Sequence, residues 1–265
     1  MSVPVGARGP DLVGTSLPRV DGVAKVTGTA LYVDDLDVPG VQHGFTVRSS
    51  VAHGILRSID RDPGFDWDGV TVVTAAEIPA GGKNTIRLLE DDQPALVPLG
   101  GRIRHVDEAV ALVAAADERR ARAAVGHIRL DVEPLPAIFT IEDSLARAVL
   151  LHGEDNVFKR FELHKGGDVE AALAAAAVVI EGSYRTGAQE QMYIEPQGML
   201  ARWEGERCFV VGSLQCPYYV HKALKALLGC ADDGVVVEQA VTGGGFGGKE
   251  EYPSMLGAHA ALLAR

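Results

Sequence analysis

Apolar and polar positions change in short blocks along most of this chain, and glycine and proline clusters separate them. ALYVDDL (30–36), HGFTVRSS (43–50), ILRSID (55–60) and VTVVTA (70–75) each predict a short strand. Residues 79–101 carry glycine, proline and mixed charge, and predict a long loop. EAVALVAA (108–115) is apolar on both faces, as a fully buried strand is. DERRARAAVG (117–126) predicts a helix capped by Asp117, with Ala123 and Ala124 turned inward. HIRLDVEPL (127–135) alternates in the manner of a half-buried strand.

The pattern changes after LPAIFTIEDSLA (135–146), which reads as a crossover leading into a polar stretch at 151–156. Asp168 caps an alanine-rich helix to about Ala176, and AVVIEGSYRT (177–186) predicts a strand. MLARWEG and RCFVVGSL predict a hairpin over 199–214. YYVHKALKALLG (218–229) has helical spacing and a glycine stop, VVVEQAV (235–241) predicts a strand, and 251–265 predicts a helix. The division is therefore an arm (1–19), a first domain (20–136), a linker (137–160) and a second region (161–265), of α+β class. The last helix runs to the final residue with no Gly or Asn stop. A strand–loop–helix unit normally continues to another strand, so the sequence reads as a fragment or as one part of a split polypeptide.

Composition narrows the function. With 265 residues, 47% hydrophobic and 23% charged, the chain can build a sizeable core. A net charge of −11 argues against a sequence-independent nucleic-acid binder. The absence of an apolar run of about 18 residues argues against a membrane-spanning helix. MSVPVGARGPDLVGTSLPRV lacks the apolar core of a signal peptide. Cys208, Cys216 and Cys230 match neither a zinc nor an iron–sulfur spacing, so a reduced, cytoplasmic protein is expected.

The chemistry concentrates in VTGGGFGGKE, Val241 to Glu250. Gly243, Gly248 and Lys249 match a P-loop spacing, but Glu250 stands where a Ser or Thr should reach magnesium. Gly243, Gly245 and Gly248 match a dinucleotide fingerprint, without the acidic residue about 20 positions later that completes it. A plain strand-to-helix turn needs fewer glycines than the five present. Common to these readings is a loop whose backbone N–H groups converge at a helix N-terminus, a place suited to an anion or an electron-rich oxygen.

GGGFGGKE (243–250) closely resembles the signature of the molybdenum hydroxylases, the xanthine dehydrogenase and aldehyde oxidase family, in their large molybdopterin-binding subunit. GAQEQMYIEPQGMLA (187–201) resembles a second motif of that subunit: Gly–x–Gln–Glu, then an aromatic, an apolar residue and Glu. GTALYVDDL (28–36), SSVAHGILRSID (49–60), GVTVVTAAEIP (69–79), VDEAVALVAA (106–115) and LDVEPLPAIF (130–139) resemble its opening α/β-hammerhead domain. The likeness runs from about residue 18 to the C-terminus, in the family's order.

The resemblance implies a hammerhead domain followed by the truncated first part of a molybdopterin-binding α/β domain. It implies hydroxylation of an N-heterocycle or aldehyde at carbon with oxygen from water. The metal would be held by molybdopterin and by no protein ligand. Gln189 would hydrogen-bond a molybdenum oxo ligand; the backbone of Gly244, Gly245, Phe246, Gly247 and Gly248 would line the cofactor; and Gln215 would contact it. Phe246 would pack on the substrate ring and Glu250 would bind or orient the substrate. Electrons would leave through 2Fe-2S and FAD groups on partner subunits, with a further polypeptide carrying the rest of the molybdopterin domain. The family's general-base glutamate falls outside the matched stretch, so no catalytic base is assigned and the chain alone is expected to be inactive. A non-catalytic assembly module or degenerate fragment is the second reading, and a dinucleotide-binding dehydrogenase the third.

The chain departs from the pattern at Gln191, where many members carry His, and at His105–Ala109, where a Gly-Gln/Glu-Pro-Val turn is more usual. Both leave substrate preference open. Glu195 is expected to make a structural hydrogen bond. His53, His221 and His259 are expected to be core or surface histidines, and Cys216 an inert thiol.

Overall fold

The computed structural model describes residues 13–86 and 93–265. Most of the expected arm and part of the expected 79–101 loop lie outside those residues. Residues 13–19 are exposed and lack helix or strand.

A short helix α1 (Gly22–Val26) precedes strands β1 (His43–Arg48), β2 (Gly54–Arg61), β3 (Val70–Val73), β4 (Arg102–Ile103) and β5 (Ala109–Ala115). Helix α2 (Glu118–Gly126) leads into β6 (Ile128–Pro134), and short helices α3 (Ile141–Leu145) and α4 (Val169–Ala175) follow. The second region contains β7 (Met199–Glu204), β8 (Arg207–Gly212), α5 (Pro217–Leu228), β9 (Val235–Gln239) and α6 (Tyr252–Ala264). Among the described residues three sheets result, ordered β1-β5-β3, β4-β2-β6 and β7-β8-β9. All pairs are antiparallel except β8 with β9.

Every residue of β5 is buried because its two faces serve different cores. Ala111 and Val113 pack with Val47, Ala124 and Ile128 beneath α2. Leu112 and Ala109 pack with Leu214, Leu224, Met255 and Ala258 from the second region. α6 is apolar on nearly all sides and lies in this shared core. His259 is buried there as a core histidine: its Nε2 bonds the Ala95 carbonyl at 3.0 Å and its Nδ1 the Thr46 hydroxyl at 3.1 Å. Burial is the main cause that pushes its pKa down to about 4, so the ring is neutral.

Local signals hold where they are local. The Asp117 carboxylate accepts from Arg120 N, and the Asp168 carboxylate from Ala171 N. Gly229 closes α5 at φ 65, a left-handed conformation that suits glycine.

Other expectations need correction. Residues 30–36 form no strand: Val33–Asp35 is a 3-10 turn, held by the Asp35 carboxylate on Tyr32 N. On α2 the buried pair is Ala121 and Ala124, three apart on one face, while Ala123 is exposed. AVVIEGSYRT adopts no regular structure, and Val178, Val179, Ile180 and Tyr184 are exposed. A strand needs a ladder partner, and no strand of the described residues pairs with this one. The described part of 79–101 is the loop expected, with one isolated bridge between Ile86 and Gln93, but Ile86, Ala95, Leu96 and Val97 are buried in it and Asn84 bonds the Leu96 backbone in both directions. His53 is a core histidine, one of the two roles expected of it: it is buried in a bend with its Nδ1 2.5 Å from the Pro136 carbonyl oxygen.

Candidate functional site

The glycine run leaves the end of β9 with its entry fixed by hydrogen bonds to the neighbouring β8 turn. Gln239 Nε2 donates to Leu214 O at 2.7 Å and Ala240 N to Gly212 O at 2.9 Å. The glycines then have two separate uses. Gly244 and Gly247 take φ of +105° and +91°, which glycine alone adopts cheaply. Gly243, Gly245 and Gly248 let other chain segments come close: an added Cβ would lie 2.6 Å from Glu195 Cβ, 2.2 Å from Gln215 Oε1 and 2.5 Å from Tyr193 Cε1. Phe246 sits among them at φ +51°, a conformation that costs a bulky residue about 1–3 kcal/mol and persists only where the surroundings enforce it.

What enforces it is a buried polar cluster beneath the loop. Lys249 is fully buried. Its ammonium donates to Glu195 O at 2.8 Å, Glu195 Oε2 at 2.9 Å and Ser213 Oγ at 2.8 Å, so all its protons are used. It also lies 4.7 Å from the centre of the Tyr193 ring. Glu195 Oε2 additionally accepts from Ser213 Oγ at 2.5 Å and from Gly243 N at 2.6 Å. Burial opposes ionisation of Glu195, but the Ser213 hydroxyl, the Gly243 N–H and the Lys249 ammonium together hold its carboxyl below the usual range. Gln215 braces the far end: its Oε1 accepts from Gly247 N at 3.1 Å and Lys249 N at 3.2 Å, while its backbone N–H donates to Lys249 O at 2.7 Å.

Glu195 thus makes the structural bonds expected of it. Lys249 is the residue that sequence reasoning passed over; it entered only as the lysine of a rejected phosphate loop. A single lysine closing a glycine run, with two glutamates, Glu190 and Glu195, in the other motif, was the available signal.

Glu190, Gln191, Tyr193, Gln197, Gly247, Gly248, Glu250, Glu251 and Tyr252 line an open cleft of about 290 Å³. The two motifs therefore meet, as walls of one cleft. Of the expected site residues, Gly247, Gly248 and Glu250 line it. Gly244 and Gly245 lie in the adjoining loop, and Gln215 lies against that loop. Phe246 projects from the loop and is 76% exposed, free to meet a ligand. Gln189 is exposed and stands one residue outside the cleft lining.

The loop's donor set suits an oxygen-rich, anionic group. The bonded amides are those of Gly243, Gly247, Gly248 and Lys249. Among the described residues, the amides of Gly244, Gly245 and Phe246 have no intrachain acceptor. A run of such N–H groups, supported from behind, is an anion-binding arrangement. It fits the expected molybdopterin group, whose oxygens need donors. Cys216, nearby, has its thiol pushed up by burial first and by Glu250 and Glu251 next, which makes it a poor nucleophile.

Comparison with known proteins identifies the family. A family model described as the aldehyde oxidase and xanthine dehydrogenase a/b hammerhead domain matches residues 27–136. A second, the molybdopterin cofactor-binding domain, matches residues 151–265. The nicotinate dehydrogenase large molybdopterin subunit of Eubacterium barkeri is 33% identical over 255 residues, covering 95% of this chain and 58% of that protein. The xanthine dehydrogenase molybdenum-binding subunit of Escherichia coli is 33% identical over 244 residues, covering 88% of this chain and 32% of that protein. The solved aldehyde oxidoreductase of Desulfovibrio gigas superposes with a TM-score of 0.78 at 27% identity, over 94% of this chain and 29% of that one. That of Desulfovibrio desulfuricans superposes at 0.80 and 25% identity, over 95% and 30%. The chain thus spans about half of one such relative and about a third of the others. With a hammerhead match, a cofactor-domain match and two sequence motifs forming one cleft, the chain belongs to the xanthine dehydrogenase and aldehyde oxidase family of molybdopterin-dependent oxidoreductases.

Proposed function

We propose that this chain supplies part of the cofactor-holding half of a molybdenum hydroxylase that hydroxylates an N-heterocycle or an aldehyde at carbon with oxygen from water. It works in the cytoplasm with an iron–sulfur subunit and an FAD subunit. Residues 20–136 form its hammerhead domain and 161–265 the first part of its cofactor domain. The single observation that carries the reading is the unpartnered N–H run of Gly244, Gly245 and Phe246 beside a cleft walled by both motifs.

The molybdopterin group, when bound, would supply the two-electron redox chemistry, the transferred oxygen coming from water. This chain's residues bind and orient. The N–H groups of Gly244, Gly245 and Phe246 would donate hydrogen bonds to cofactor oxygens, Gly247 and Gly248 would line the group, and Gln189 would offer its side-chain amide to it from the opposite motif. Gln215 has spent its Oε1 on the loop, so its Nε2 is the atom left to meet the cofactor. Phe246 offers an exposed flat ring for a planar substrate, and Glu250 accepts a hydrogen bond from a substrate N–H or hydroxyl. No residue here is assigned as the general base.

The test is to purify the assembled protein from its native host and measure molybdenum, pterin, iron and FAD. It is then assayed with xanthine, nicotinate and aldehydes in ¹⁸O-labelled water. Label in the hydroxylated product is the expected result. A complex with no molybdenum or pterin, or one that binds NAD in calorimetry, overturns the proposal. The isolated 265-residue chain is expected to hold no stoichiometric molybdenum and to turn over no substrate. Its turnover alone would refute the division of labour.

A further inference from the structure

We infer that Lys249 and Glu195 act as positioning residues, forming a clasp that holds the glycine loop in its ligand-ready shape before any ligand arrives. The argument lies in how one carboxylate oxygen is shared. Glu195 Oε2 takes the N–H of Gly243 at one end of the loop and the ammonium of Lys249 at the other. The loop is therefore tied at both ends to a single atom on the opposite motif. Ser213 closes the cluster by donating to that oxygen and accepting from Lys249.

The consequence is a division among the loop's amides. Those of Gly243, Gly247, Gly248 and Lys249 are consumed by intrachain acceptors. Those of Gly244, Gly245 and Phe246 are left over, with Gly245 buried between the half-buried Gly244 and the exposed Phe246, which is held at φ +51°. A glycine-rich loop without such ties would sample many conformations and lose that entropy on binding. The clasp makes the loss during folding instead. Lys249 is fully buried, so it cannot itself reach a ligand, and its influence passes through the loop.

The cofactor part of this inference rests on the proposed function; the loop-ordering part does not. The test uses the protein purified from its native host with Lys249→Met, with the milder Ser213→Ala in case the first fails to fold. Val47→Ala and Leu56→Ala, buried in the separate clusters around β1 and β2, serve as controls chosen to bracket the stability loss. Hydrogen exchange by mass spectrometry is read on the peptide spanning 241–250. Lys249→Met should speed exchange of the bonded amides at least tenfold while β7–β9 amides keep their rates, with Ser213→Ala showing a smaller change in the same direction. Molybdenum per chain should fall at least fivefold in Lys249→Met and stay near wild type in the controls. If the controls match Lys249→Met in both readouts, or if loop exchange does not change, the clasp is refuted. If wild type itself carries no molybdenum, the proposed function fails, and loop exchange alone decides the clasp.

Discussion

Replacing Gly245 by alanine tests the loop through one defined collision. Its φ is not positive, so the backbone itself admits alanine. The new Cβ would lie 2.2 Å from Gln215 Oε1, 2.6 Å from Cδ and 3.0 Å from Cγ. Gln215 is exposed and can swing into solvent to relieve the clash. It then abandons the N–H groups of Gly247 and Lys249. Gly247 is exposed and water takes over its N–H. Lys249 is buried, and an unsatisfied buried N–H costs about 1–3 kcal/mol. The expected destabilisation is therefore about 2 kcal/mol, which with a urea m-value of about 3 kcal/mol/M lowers the midpoint by about 0.7 M. Gln215→Ala removes the same acceptor and should cost about the same. The double variant should be no worse than Gln215→Ala alone, giving a coupling energy of about 2 kcal/mol. Urea unfolding followed by tryptophan fluorescence measures all of these. Additive single effects, within about 0.5 kcal/mol, would show that the two residues do not act through this contact and refute the reasoning.

Three further outcomes follow from other parts of the fold. His259 has a folded-state pKa of about 4, below the ordinary 6.5, so the unfolded chain binds the extra proton first as pH falls. Stability should therefore drop by about 3 kcal/mol between pH 6.5 and 4 on this group's account, and the urea midpoint of His259→Gln should depend less on pH across that window. Gly82→Ala would place a Cβ 2.0 Å from the Leu227 carbonyl oxygen, backbone that cannot rotate away, so thermal or urea unfolding should show a loss of about 3 kcal/mol. Leu224→Ala empties a fully buried position on α5 in the core shared by both regions, and should cost about 3 kcal/mol in the same assay.

The limits of reading this chain from its residues follow from the range of each signal. Caps, stops and periodicity act over a few positions, so Asp117, Asp168, Gly229 and the buried run of β5 were legible directly. The hairpin of β7 and β8 was legible for the same reason, being closed by a tight turn. The strand pattern of 177–186 failed because a strand exists only through a partner, and none of the described strands pairs with it. ALYVDDL failed because the Asp35 carboxylate caps a turn within the same few residues.

At the site the division is sharper. The residue order alone showed that five glycines exceed what a turn needs, and that two motifs match one family. It could not say why each glycine is there, because the atoms they make room for belong to Glu195, Gln215 and Tyr193, distant in sequence. Nor could it mark Lys249, whose partners are 36 and 54 positions away. A lysine's identity carries no sign of burial; only packing against a carboxylate and a hydroxyl turns it from an expected surface charge into the tie across the loop.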